Sequence, residues 1–244
     1  MFPTLPRSLS LAGLARNGGE PWAGGPREAI RWAAACGYRW VQLDAASVRA
    51  REMDRSARRD LAATLRREGL MLSGLDLWLP PTHLVSGAEQ GRALDALLGA
   101  AELASELAGL LPGSSVVVCT ALHAETPGEV LRELRAGCER VGAVLADHAW
   151  PAREATPPVG VGIDPAAIIA AKGDVLGEVS KLASVPLAAR LSDFAGSTRV
   201  LAGEGSLDIA AYEAVITTRG FRSAMVVDVR GLRDQATAAK ALRG

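Results

Sequence analysis

Ser115-Val116-Val117-Val118-Cys119-Thr120 is a short run dense in β-branched residues, set between two long segments of helical pattern, residues 90–111 and 128–149. An apolar strand without alternation, bracketed by helices, is what a parallel sheet buried on both faces requires. The same alternation extends in both directions. Upstream, residues 8–14 read as a first strand, followed by a Gly/Pro-rich loop over 17–26. A helix over 27–36 is stopped by Gly37, and a strand runs from Trp40 to Asp44. An arginine-rich helix over 54–68 ends at Gly69, and a strand over 71–77 leads into Pro80-Pro81. Downstream, strands are expected at 159–163, 186–191 and 224–229, with helical stretches between them and a last helix reaching Arg243. Repeated βα units over 244 residues predict a (β/α) TIM barrel forming a single domain, 1–244. An open doubly wound sheet is the alternative, weakened because no Gly-rich phosphate fingerprint follows the first strand.

The strand count is seven. Between the helix expected to end near Trp150 and the strand at Val159 lie only eight residues, 151–158, which include Pro157-Pro158. A strand plus crossover helix does not fit there. The expectation is therefore an incomplete or irregular barrel lacking one βα unit around residues 150–158. Dimerisation over the exposed strand edges is the corollary.

Composition narrows the partners. Basic and acidic residues balance at 27 each, so the chain has no basic footprint for nucleic acid. All the basic residues except Lys172, Lys181 and Lys240 are arginines. Cys36, Cys119 and Cys138 are scattered, as in a reduced cytoplasmic protein. The apolar run 9–15 lacks the charged start and length of a signal peptide, and no run is long enough to span a membrane.

In a parallel barrel, chemistry sits where strands run into the following loops. Five of the expected strands reach an aspartate there: Asp44, Asp76, Asp164, Asp193 and Asp228. Such carboxylates suit a hard cation or acid/base work, but aspartate is also a common helix cap. Capping or pairing is favoured for Asp44 and Asp76; for Asp164 and Asp228 both roles stay open. His83 and His123 follow the third and fourth strands, where an imidazole could touch substrate, while His148 falls at a helix end. Arg190 lies inside an apolar strand, so it needs Asp164, Asp193 or Asp228 as a partner, or else grips an anionic ligand bidentately. Arg199 and Gly203-Glu204-Gly205 stand in the next loop, Asp208 suits a helix N-cap, and Trp78 is the tryptophan best placed to reach the mouth.

With these residues in view, the chain resembles the xylose isomerase-like TIM-barrel family of sugar isomerases, epimerases and AP endonucleases. Val161-Gly162-Ile163-Asp164-Pro165 looks like the family's sixth-strand motif. Leu191-Ser192-Asp193, Arg199, Gly203-Glu204-Gly205-Ser206-Leu207-Asp208 and Tyr212 look like its seventh-strand block, and Met225-Val226-Val227-Asp228 like its eighth strand. The resemblance implies one divalent metal held by Glu, Asp, His and Glu on strands five to eight. Carried over, Asp164 matches the sixth-strand ligand and Asp228 replaces the eighth-strand glutamate. Arg190 stands where the seventh-strand histidine belongs, Ala167 replaces a further histidine, and the fifth-strand glutamate falls in the missing unit. Metal (Mn, Co, Zn or Mg) would rest on Asp164 and Asp228, which would also be the catalytic pair; absence of a metal is the favoured expectation. Substrate contacts are expected from Arg190, Arg199, Asp193, Glu204, His83, His123 and Trp78. The implied function is action on, or binding of, a small sugar or sugar-acid with the usual metal site largely lost. The alternative is a non-catalytic barrel that binds a small polar ligand or serves as an interaction subunit.

Overall fold

The computed structural model describes residues 4–15 and 18–243; the start of the loop expected at Asn17 lies outside them. Eight parallel strands close into a barrel. In chain order they are β1 (Arg7–Ser10), β2 (Trp40–Asp44), β3 (Met71–Asp76), β4 (Val117–Thr120), β5 (Val144–Asp147), β6 (Val159–Ile163), β7 (Ala188–Leu191) and, after a small hairpin, β10 (Met225–Val227). β10 pairs with β7 on one side and β1 on the other, so no barrel strand is left with an open edge. The hairpin is β8 (Asp193–Ala195) and β9 (Thr198–Val200), antiparallel, in the loop after β7. Helices α1 (Pro26–Ala35), α2 (Arg55–Arg67), α3 (Gln90–Leu110), α4 (Gly128–Val141), α5 (Pro165–Ala170), α6 (Val175–Lys181) and α7 (Ile209–Thr218) lie between the strands, and α8 (Gln235–Ala241) follows β10.

The expected gap is corrected. The segment read as one helix over 128–149 is a helix followed by a strand. Gly142, at φ 69, ends α4 in the left-handed conformation that glycine adopts without steric cost, and β5 follows two residues later. β5 then pairs with β4 and β6, so the eighth strand is present and the barrel is complete. What is absent among the described residues is a helix between β5 and β6, where residues 148–158 cross directly. The open edges on which dimerisation was expected are thereby closed.

Strand alternation divides the core in two. Leu9, Val41, Leu72, Val118, Leu145, Val161, Ala189 and Val227 join the large cluster shared with the helices. Val117, Cys119, Ala146 and Ala188 form a separate small cluster. The barrel interior also carries buried polar groups, Ser8, Ser10, Gln42, Asp76 and Arg190. β7 shows the pattern plainly, since Ala188 and Arg190 share one face while Ala189 and Leu191 share the other. Asp208 caps α7 as the sequence predicts, accepting from Ala211 N at 3.0 Å.

Candidate functional site at the barrel mouth

Strand ends bring Asp76, Asp164 and Asp228 together with Arg190, Arg199 and Arg230. Arg190 is fully buried; it donates from Nη1 to Asp228 Oδ2 at 3.1 Å, and from Nη2 to Gln42 Oε1 at 3.2 Å and to Asp76 Oδ1. Asp76 also accepts from Ser10 Oγ at 2.5 Å. Arg199, carried by β9, donates to Asp164 at 3.2 Å and to Asp228 Oδ2 at 2.9 Å. Arg230 wraps Asp228, donating from Nε to Oδ1 at 2.9 Å and from Nη2 to Oδ2 at 2.5 Å, and stands 3.6 Å from Asp164 Oδ2. Ser192 Oγ donates to Asp164 Oδ1 at 2.5 Å. Although Asp164 precedes α5, its side chain makes no capping bond; it is turned to the arginines. Three guanidiniums thus face three carboxylates, and the cluster sums to zero charge.

The arginines set the protonation states. Burial pushes the Asp228 carboxyl up, but Arg230, Arg190 and Arg199 together hold it well below the ordinary carboxylate range. Burial likewise raises Asp164, and Arg199 outweighs it to leave a net lowering. At Asp76 burial prevails over Arg190 and the carboxyl is raised. Arg190, opposed by burial and favoured by Asp76 and Asp228, is held more firmly charged than a free arginine.

Trp78 sits beside this cluster, with the Arg230 guanidinium 3.8 Å and the Arg190 guanidinium 4.8 Å from its ring centroid. His148 is the functional-looking residue that the sequence reading missed. It follows β5 rather than ending a helix, its ring lies 5.8 Å from that of Trp78, and it is 3% exposed. Burial and Arg190 lower its pKa to about 3, so the imidazole is neutral. A Cβ on Gly162 of β6 would meet its Nε2 at 2.5 Å, so the ring occupies space that only a glycine leaves.

Of the other expected contacts, Asp193 and His123 are bonded to backbone groups, whereas Glu204 and His83 are not drawn into the arginine cluster. The buried Asp193 carboxylate accepts from the backbone N–H groups of Phe194, Gly203, Gly205, Ser206 and Leu207, at 2.8–3.3 Å, and so folds the loop over 201–208. Glu204 points from that loop and is exposed. His123 accepts from Glu125 N at 3.1 Å, and His83, in a short turn over Pro81–Leu84, makes no imidazole hydrogen bond among the described residues. The fifth-strand carboxylate is Asp147, accepting from Leu122 N, Ala149 N and Arg153 Nε at 2.9–3.0 Å.

Solved structures share this architecture throughout. A xylose isomerase domain protein from Planctomyces limnophilus superposes with a TM-score of 0.73 at 16% identity, covering 98% of this chain and 93% of that one. The fold is that of the xylose isomerase-like barrels. A xylose isomerase-like TIM-barrel protein from Mycobacterium smegmatis in complex with magnesium gives 0.70 at 14% identity, covering 97% and 94%. D-psicose 3-epimerase with D-tagatose, from Clostridium cellulolyticum H10, gives 0.71 at 12% identity, covering 97% and 96%. No protein-family model and no curated protein matches the sequence. The Mycobacterium smegmatis structure is a complex with magnesium, which raises the question of whether the residues at this mouth fit a metal ion. The donor set does not fit: among the described residues no group of three His, Cys, Asp or Glu side chains could hold a metal ion. Asp164 and Asp228, the metal ligands expected from the sequence, each carry arginine instead. A guanidinium about 4 Å from a metal ion would repel it by about 4 kcal/mol per unit charge at an effective dielectric near 20.

Proposed function

We propose that this chain is a metal-independent xylose isomerase-like barrel that binds a small sugar at its mouth without isomerising it. The observation that carries the reading is Asp228, whose carboxylate accepts from three separate guanidiniums. A carboxylate so engaged, and held ionised, has no lone pair directed at a metal and little basicity to take a substrate proton. The paired charges of the mouth favour an uncharged ligand over a sugar-acid, because an incoming carboxylate would compete with Asp164 and Asp228 for Arg199 and Arg230. Structural likeness to a D-psicose 3-epimerase supports a sugar as the ligand class. The test combines two measurements on the purified chain: elemental analysis after incubation with Mn, Co, Zn and Mg and desalting, and calorimetric titration with D-tagatose. Saturable sugar binding with no retained metal is expected. Stoichiometric metal that disappears in Asp164→Ala, together with epimerase turnover, would overturn the proposal.

A further inference from the structure

The mouth contains polar atoms that the arginine network leaves without partners. Both ring nitrogens of His148, Nε1 of Trp78 and Nε of Arg190 are buried with no hydrogen bond. A buried donor or acceptor left unmade costs about 1–3 kcal/mol, so native proteins retain few of them and rarely side by side. Here His148 and Trp78 adjoin, with ring centroids 5.8 Å apart, and Arg190 stacks 4.8 Å from the same indole. Gly162 fixes the imidazole by leaving it the room a methyl group would take.

We infer that His148 and Trp78 form a hydroxyl-binding subsite for a neutral polyol, the imidazole offering one acceptor and one donor and the indole N–H a second donor. The inference deepens the sugar-binding reading above and rests on it. The ring is uncharged, since burial and Arg190 both disfavour the imidazolium, so it presents one acceptor nitrogen and one N–H. That pairing matches a hydroxyl, which both donates and accepts, whereas a carboxylate could use only the N–H groups and a cation only the bare nitrogen. Because His148 is only 3% exposed, the ligand gains it by displacing the neighbouring stack of Arg230 on Trp78; the Arg230 side chain is itself 18% exposed.

The chain has three histidines, so nitrogen NMR of the full protein labelled with 15N-histidine separates them cleanly. On titration with D-tagatose, both His148 nitrogens are expected to shift along the calorimetric binding curve, while those of His83 and His123 stay in place. His148→Phe keeps the ring volume without the hydrogen bonds and is expected to weaken binding about five- to tenfold. Binding that leaves the His148 nitrogens unmoved, or that persists at full strength in His148→Phe, would overturn the subsite while leaving the sugar-binding reading intact. Absence of any calorimetric binding would remove both. The NMR readout uses the unaltered chain, so it decides the matter even if His148→Phe does not fold.

Discussion

Arg190 carries more of this molecule's character than any other side chain. It bridges Asp76 and Asp228 at zero exposure, so its removal leaves two buried carboxylates short of a counter-charge. Arg190→Met is expected to cost about 3–5 kcal/mol, seen as a melting temperature lower by about 10 °C. Arg190→Gln still leaves Asp228 held by Arg199 and Arg230, so that variant, like the parent, is expected to retain no Mn or Zn after desalting. His148 produces the opposite pH behaviour to a histidine that gains a partner. Its folded pKa, about 3, lies below the ordinary 6.5, so the unfolded chain binds the extra proton between those values and stability falls as pH drops through that window. The slope is about 1.4 kcal/mol per pH unit for one proton, and His148→Phe should flatten it in denaturant titrations between pH 6 and pH 4. Asp228, held low by its arginines, contributes stability above its unfolded value of 3.8 that is lost as pH falls below it, in parent and variant alike.

At the scale of elements, the loop over 201–208 depends on one carboxylate. Asp193→Ala is expected to leave the barrel folded but to raise hydrogen exchange at Gly203, Gly205, Ser206 and Leu207, whose amides it now accepts. Nothing in the sequence marks that role: five backbone donors leave no side-chain pattern, so Asp193 reads as one more mouth carboxylate. β5 was hidden for a related reason. Val144-Leu145-Ala146-Asp147 is short, follows α4 after only Gly142-Ala143, and is alanine-bearing enough to extend a helical reading. Once β5 was absorbed into a helix, His148 became a helix end and the fifth-strand carboxylate was lost with it. By contrast β2, β3, β4 and β6, with β-branched or apolar density and clear stops, were legible nearly to the residue. Gly162→Ala tests the link between elements: a methyl 2.5 Å from His148 Nε2 should expel the imidazole and move its NMR signals.

For the whole molecule, the repeat of strand and helix was enough to predict a barrel, and the arginine inside the seventh strand was enough to predict a buried ion pair. Neither could show which aspartates Arg190 would meet, because Asp76 and Asp228 are adjacent only after closure. Val185 is the single large apolar side chain among the described residues that is exposed, at 50%. Sedimentation velocity is accordingly expected to show a monomer; a dimer would have to use a face other than a strand edge. Closure itself joins the two ends of the chain, with Arg7 beside Met225. During synthesis β1 therefore leaves the ribosome long before its second neighbour exists, and must wait with one unpaired edge while more than 200 residues are added. A nascent chain stalled before residue 225 holds every carboxylate of the mouth cluster except Asp228, yet cannot close the ring, so the complete charge cluster and the last strand of the barrel arrive together.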